Sequence, residues 1–240
     1  VPAKMRRVDV IALDPGVRTF MTGYDSQRQC ILAFGDFDFK RIGRLCVHLD
    51  ALQSKIALSK REKKGKKEKQ RRHRMRKAWY RMFKRIRNLV DELHKKVAKF
   101  LVLNYDMILL PRFETSQMVQ KNKNIKAGDE TMVQKFYRKI NSKTARNMLT
   151  WGHYRFRTRL LEKAKEKVGG CVIFDSNEAY TSKTCTMCGN INNKLGGKKE
   201  FKCPVCNFEG DRDGCASRNI FMRNIESAGV NLVAQLDVVA

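Results

Sequence analysis

The chain has 240 residues, enough for one sizeable hydrophobic core and a small appendage. Its 51 Lys and Arg against 24 Asp and Glu leave a formal charge of +27 at pH 7, far beyond what solubility needs, which makes a polyanion the expected partner. No run of about 18 apolar residues is present to span a bilayer and no signal peptide opens the sequence, so nucleic acid is preferred to a membrane surface.

Residues 8–14 form a short apolar run closed by Asp14 and by the turn pair Pro15-Gly16, and a strand pattern resumes at Thr19. This predicts a hairpin with an aspartate at the end of its first strand, followed by a third strand over residues 29–34. A buried acid at such a position costs desolvation energy unless a cation meets it; a turn-capping aspartate is the plainer reading.

From Arg41 the period changes to that of helices. Leu45, Leu49, Leu52 and Ile56 predict one helix, and Met75, Trp79, Met82, Ile86, Leu89, Leu93, Val97 and Leu101 a second. Between Lys60 and Arg74 every residue except Glu62, Gly65, Glu68, Gln70 and His73 is Lys or Arg, so the expectation is a long helical hairpin with a basic tip. A solvated face is the bland reading of a charge run, but repulsion on this scale calls for a polyanion against it. Trp79, Tyr80 and Phe83 either pack the helices or stack on bases.

A fourth strand spans residues 106–111 and leads to Glu114, and a polar loop is expected over residues 119–129. One amphipathic helix is predicted from Ala145 to Val168, ended by Gly169-Gly170. A fifth strand at residues 171–175 leads through Glu178 into Cys185-Thr-Met-Cys188, fourteen residues, and Cys203-Pro-Val-Cys206. Two such pairs at this spacing put four thiolates around one tetrahedral Zn²⁺, with no position left open, so the metal is read as structural. Two disulfides or a redox dithiol are the competing reading, disfavoured because Cys30, Cys46, Cys171 and Cys215 are scattered. Asp213 then opens a helix through Ile220, Met222 and Ile225; beyond Ser227 no element is assigned.

This order predicts an α/β chain with a mixed sheet. The expected units are first strands at 1–40, a basic helical-hairpin insertion at 41–103, a continuation at 104–180, a zinc ribbon at 181–210 and a final helix and tail at 211–240. Asp14, Glu114, Glu178 and Asp213 stand beyond strand ends or at a helix start, where ligands gather in such sheets. Clustered acids inside so basic a protein make sense around hard cations, and two Mg²⁺ ions held by carboxylates serve phosphodiester cleavage.

Five stretches carry a resemblance. They are Asp14-Pro15-Gly16-Val17-Arg18-Thr19-Phe20, Leu110-Pro111-Arg112-Phe113-Glu114-Thr115-Ser116, Leu149-Thr150-Trp151-Gly152-His153-Tyr154-Arg155-Phe156, Asn177-Glu178-Ala179-Tyr180-Thr181 running on to Cys185, and Asp211-Arg212-Asp213. In this order they resemble the RuvC nuclease half of the Fanzor proteins, eukaryotic and viral relatives of the TnpB nucleases. The resemblance implies an RNase H-like (RuvC) fold and Mg²⁺-dependent, RNA-guided cleavage of double-stranded DNA with displacement of one strand. It implies Asp14 and Asp213 as catalytic acids, Cys185, Cys188, Cys203 and Cys206 as zinc ligands, and work in a nucleus. An N-terminal half that grips the guide RNA is implied too. With Val1 standing just before the first strand, the chain is expected to be the C-terminal part of a longer protein.

Two departures matter. Pro111 occupies the slot of the usual catalytic glutamate, so another acid must serve, with Glu178 preferred to Glu114. Gly214-Cys215 stand where a hydrophobic residue and Asn are usual, and a thiol does not supply an amide's hydrogen bonds. The competing functions are a non-cutting nucleic-acid-binding module and a resolvase or transposase on the same fold.

Overall fold

The computed structural model describes residues 8–61, 65–120, 122–124, 135–137, 140–196 and 198–237. The chain opens with β1 (Val10–Pro15), β2 (Met21–Asp25) and β3 (Cys30–Phe34), then α1 (Asp36–Arg61), α2 (Lys66–Asn104) and β4 (Met107–Pro111). It continues with α3 (Thr115–Met118), β5 (Asn122–Asn124), β6 (Lys135–Tyr137), α4 (Ser142–Trp151) and α5 (His153–Lys165). β7 (Val172–Ser176), β8 (Glu200–Lys202), β9 (Glu209–Asp211) and α6 (Arg212–Asp237) complete it. Five strands form one mixed sheet in the order β3-β2-β1-β4-β7, antiparallel among the first three and parallel from β1 through β4 to β7.

Alternation along β1 and β4 sets the layers, because successive side chains of a strand point to opposite faces. Ile11, Leu13, Ile108 and Leu110 enter a core with Phe20, which precedes β2, and with Val90, Leu101, Phe156 and Leu160 of α2 and α5. Val10, Ala12, Met107 and Leu109 enter a smaller core beneath Ile220 and Ala228 of α6. The two central strands are buried on both faces, which is why their sequences are continuously apolar. Each fully buried aliphatic side chain contributes roughly 1.5–3 kcal/mol.

α2 is 39 residues long, about 58 Å at 1.5 Å per residue, but its buried positions begin only at Ile86. Its basic turns ahead of Trp79 therefore leave the core with the end of α1. Trp79 and Phe83 stack on each other at 5.2 Å and pack against the core, whereas Tyr80 is exposed with the Lys84 ammonium 4.9 Å over its ring. Of the three aromatics, two take the packing role.

Several expectations change. α1 starts at Asp36, ahead of the apolar period, because Asp36 and Asp38 suit the positive end of the helix dipole. The single helix expected over residues 145–168 is two, since Gly152 takes φ +60°, closing α4 and starting α5. α5 ends at Lys165, before the glycine pair. The polar stretch after Val119 contains β5, which pairs with β6; residues 121 and 125–129 of that expected loop lie outside the described residues. So do residues 62–64 of the basic tip and residue 197 of the ribbon tip. The tail beyond Ser227, left unassigned from sequence, continues α6 to Asp237. Among the described residues no helix is long and apolar enough to cross a membrane.

Asp25, fully buried at the end of β2, accepts hydrogen bonds from the Tyr105 hydroxyl at 2.8 Å, the Arg28 guanidinium at 2.8 Å and the backbone of Gln27 and Arg28. Burial pushes its pKa up, but the bonds from Arg28 and Tyr105 outweigh it and hold the carboxyl below its ordinary value. Because folding lowers this pKa, the stability Asp25 contributes is present at neutral pH and is lost as pH falls through the folded value. Tyr105→Phe should cost about 2 kcal/mol in urea denaturation. It should also shift acid unfolding to higher pH, as it removes one bond that keeps the carboxyl ionised.

Candidate active site

The parallel strands β1, β4 and β7 end on the same edge of the sheet, and the candidate residues gather there. Asp14 lies in the last turn of β1, Glu178 two residues beyond β7 and Asp213 in the first turn of α6. All three line one cavity of about 950 Å³, whose walls also carry Arg18, Lys143, Lys198, Lys199 and Arg212.

Electrostatics mark the cleft. Burial, then the charges of Asp213 and Glu178, push the Asp14 carboxyl well above its ordinary pKa. Burial also raises Glu178, and burial with the neighbouring Asp211 raises Asp213. These groups resist ionisation together, so the cleft stores repulsion that a hard cation would relieve.

Glu114 is not in this cleft. It is exposed and lines a separate cavity of about 620 Å³, because the chain leaves β4 at Pro111 and turns into the single-turn helix α3. Of the two glutamates weighed from sequence, Glu178 is the one brought beside Asp14 and Asp213.

The backbone beside Asp14 and Glu178 is fixed by other elements. The turn after Asp14 is pinned twice: Trp151 Nε1 donates to the Val17 carbonyl at 2.9 Å, and His153 Nε2 meets the Gly16 carbonyl at 3.0 Å. The break at Gly152 is what lets both side chains reach this turn. Beneath it Phe20 is stacked between His94 and His153, each ring 5.0 Å away. Burial drives both imidazoles down to about 4, so they are neutral at pH 7 and act as structure, not as bases. Next to Glu178, Asn224 accepts from Asn177 N at 2.8 Å and donates to Asn177 O at 3.1 Å. Asn219 donates to the carbonyls of Thr181 and Thr184. Helix α6 thus supplies, from Asn219 and Asn224, the amide bonds that Cys215 cannot give. Cys215 instead packs with Cys185, Phe201 and Cys203.

Those cysteines belong to the second constellation. Cys185, Cys188, Cys203 and Cys206 place their four sulfurs within 4.8 Å of one another, with Cys203 and Cys206 in the turn that joins β8 to β9. The closest pairs, Cys185–Cys206 and Cys188–Cys203, stand at 3.6 Å. This is far beyond the roughly 2.05 Å of a disulfide and near the edge of about 3.8 Å that four sulfurs 2.3 Å from a tetrahedral metal would make. The backbone amides of Met187 and Val205 point at Cys185 and Cys203, and donation from Cys206 and Val205 lowers the Cys203 thiol pKa to about 6. The disulfide reading is excluded in this structure, and the donor set fits a thiophilic ion.

Residues 153–220, which hold Glu178, Asp213 and the four cysteines, match the Cas12f1-like, TNB domain family. A protein of Acanthamoeba polyphaga mimivirus named as a transposase is 33% identical over 214 residues, 89% of this chain and 39% of its own length. A second protein of that virus, named TnpB-like, is 27% identical over 87% of the chain and 36% of its own length. By sequence, the chain is similar to these viral transposase and TnpB-like proteins. It spans less than half the length of these curated relatives. In fold, the chain is similar to Cas12f1 in the cryo-EM structure of a Cas12f1–sgRNA–target DNA complex, with a TM-score of 0.55 at 17% identity over 91% of this chain and 51% of that one.

Trp151, His153, Asn219 and Asn224 carry no role in a reading of the sequence alone. The signal was present for the first pair, which flank a glycine inside a helical pattern. Asn→carbonyl clamps leave no spacing signature.

Asp14→Asn removes a carboxyl whose ionisation is opposed by burial and by the charges of Asp213 and Glu178. In metal-free protein it should raise the stability measured by urea denaturation by about 1 kcal/mol while abolishing whatever the cleft does. Destabilisation would contradict the repulsion described.

Proposed function

We propose that this chain is the RuvC nuclease portion, with an RNase H-like fold, of a Fanzor-type RNA-guided DNA endonuclease. The observation that carries it is the gathering of Asp14, Glu178 and Asp213 in one partly dry cleft whose rim is cationic, within a chain of net charge +27. Acids at the centre with cations around them suit a substrate that is itself a polyanion and must be met by metal.

In this reading Asp14, Glu178 and Asp213 hold two Mg²⁺ ions. When bound, such a pair lowers the pKa of a water and stabilises the leaving 3′ oxygen. The protein's own groups do the positioning. Arg18, Lys198, Lys199 and Arg212 hold the flanking phosphates in line. Asn224, through Asn177, fixes the backbone that presents Glu178. Trp151 and His153 fix the turn behind Asp14. His153 moves no proton: it is neutral and its Nε2 is engaged with Gly16. The four cysteines hold one structural Zn²⁺ that folds the β8–β9 ribbon. The basic half of α2 lies along the guide RNA–target DNA duplex, and the strand displaced from the target reaches the cleft. The rest of a longer protein grips the guide, and the site of action is the nucleus.

The test is cleavage of single-stranded and guide-matched double-stranded DNA with Mg²⁺, using the whole protein to which this chain belongs. Asp14→Ala and Glu178→Gln should each lower the rate by at least about a thousandfold, whereas Glu114→Gln keeps cutting. Binding without cleavage in the unaltered protein would instead make it a nucleic-acid-binding module.

A further inference from the structure

The cavity of about 620 Å³ that holds Glu114 lies beside the acid cleft, and Pro15 and Phe113 line both. Its size falls within the range of small-molecule sites. Its chemistry differs from its neighbour's. The acid cleft is walled by carboxylates and by Arg and Lys, as a phosphate-handling site would be. The second cavity is walled by Pro15, Pro111, Phe113, Tyr154 and Phe156, together with arginines already engaged elsewhere. Arg112 pairs with Asp175 at 2.6 Å, and Arg157 pairs with the other oxygen of the same carboxylate. One carboxylate thus serves both guanidiniums and orients them within the protein, and the walls that remain are mainly aromatic and prolyl, which favours a flat ring over a phosphate.

We propose that this cavity takes one unpaired nucleobase, from a nucleotide next to the phosphate lying among Asp14, Glu178 and Asp213. The inference rests on the nuclease reading and adds a subsite to it. Two rings are prepared for stacking. Phe113 is held edge-on against His153, centroids 4.8 Å apart at 69°, so the ring dividing the two cavities is already ordered. Tyr154, in the first turn of α5, lines the same cavity and is 76% exposed, so its ring is open to a base. Base–aromatic stacking is indifferent to sequence because every base has a π-face, which suits an enzyme whose target is not read here. Placing the base beyond Phe113 while its phosphate stays on the acid side would hold the strand across the shared wall and fix which bond faces the carboxylates.

Tyr154 is exposed, so Tyr154→Ala leaves the fold intact and isolates the stacking role. The first readout does not need cleavage. In Ca²⁺, a short single strand containing 2-aminopurine should be quenched severalfold by the whole protein and left unquenched by Tyr154→Ala. The second readout is cleavage in Mg²⁺ of single strands carrying one abasic residue. The bond at a fixed offset from the abasic residue should be cut about tenfold more slowly by the unaltered protein, and Tyr154→Ala should cut all bonds at a similar reduced rate with no such offset. Equal quenching by both proteins, or no positional effect of the abasic residue in a protein that does cut, would overturn the subsite. Quenching that depends on Tyr154 in a protein that never cuts would uphold the subsite and overturn the nuclease reading.

Discussion

Three carboxylates share one cleft where burial opposes their ionisation, and the backbone beside two of them is held in place by other elements. Asp14, Glu178 and Asp213 each have a raised pKa, with burial as the leading cause. Relaxation is blocked at the backbone: Trp151 and His153 hold the turn after β1, and Asn224 holds both the amide and the carbonyl of Asn177 before Glu178. None of these restraints comes from the element that carries the acid it restrains. The site therefore depends on the tertiary packing of α4, α5 and α6 against one edge of the sheet.

That packing follows from the two-residue alternation of β1 and β4. One set of side chains draws α2 and α5 to one face, and the other draws α6 to the opposite face. Because α6 must cross beneath the sheet to bury Ile220 and Ala228, its first turn brings Asp213 to the strand ends and its middle brings Asn219 and Asn224 under the segment that leads to the ribbon. Burial energy thus supplies the force that sets acids together, while Lys and Arg crowd the rim of the cleft and the first half of α2. A cleft with this inversion of charge is matched to a metal ion inside and a phosphate chain outside.

What could be read from the sequence divides along physical lines. Strands with continuous apolar runs, helices with a sustained period and the paired Cys-x-x-Cys motifs were legible because each is a local pattern with one structural solution. The break at Gly152 was not, since an isolated glycine in a helical period is usually tolerated, and only a positive φ turns it into a junction. The continuation of α6 beyond Ser227 lacked a clear apolar stripe. Glu178 and Glu114 were both defensible from sequence, as either lies just past a strand end. The one-turn helix after Pro111, which carries Glu114 to the far side of Phe113, depends on how the chain leaves the sheet. Asn224 was invisible for a similar reason: its partner is 47 residues away in sequence. Local chemistry pointed to the candidate residues, and long-range contacts decide which of them share a cleft.

The measurement that bears most directly on this account is anomalous X-ray scattering from crystals of the whole protein soaked in Mn²⁺. Two peaks about 4 Å apart between Asp14, Glu178 and Asp213 are the predicted result, with neither in the cavity that holds Glu114. A cleft that stays free of Mn²⁺ at millimolar concentration, or a peak beside Glu114, would contradict the assignment of these carboxylates to metal.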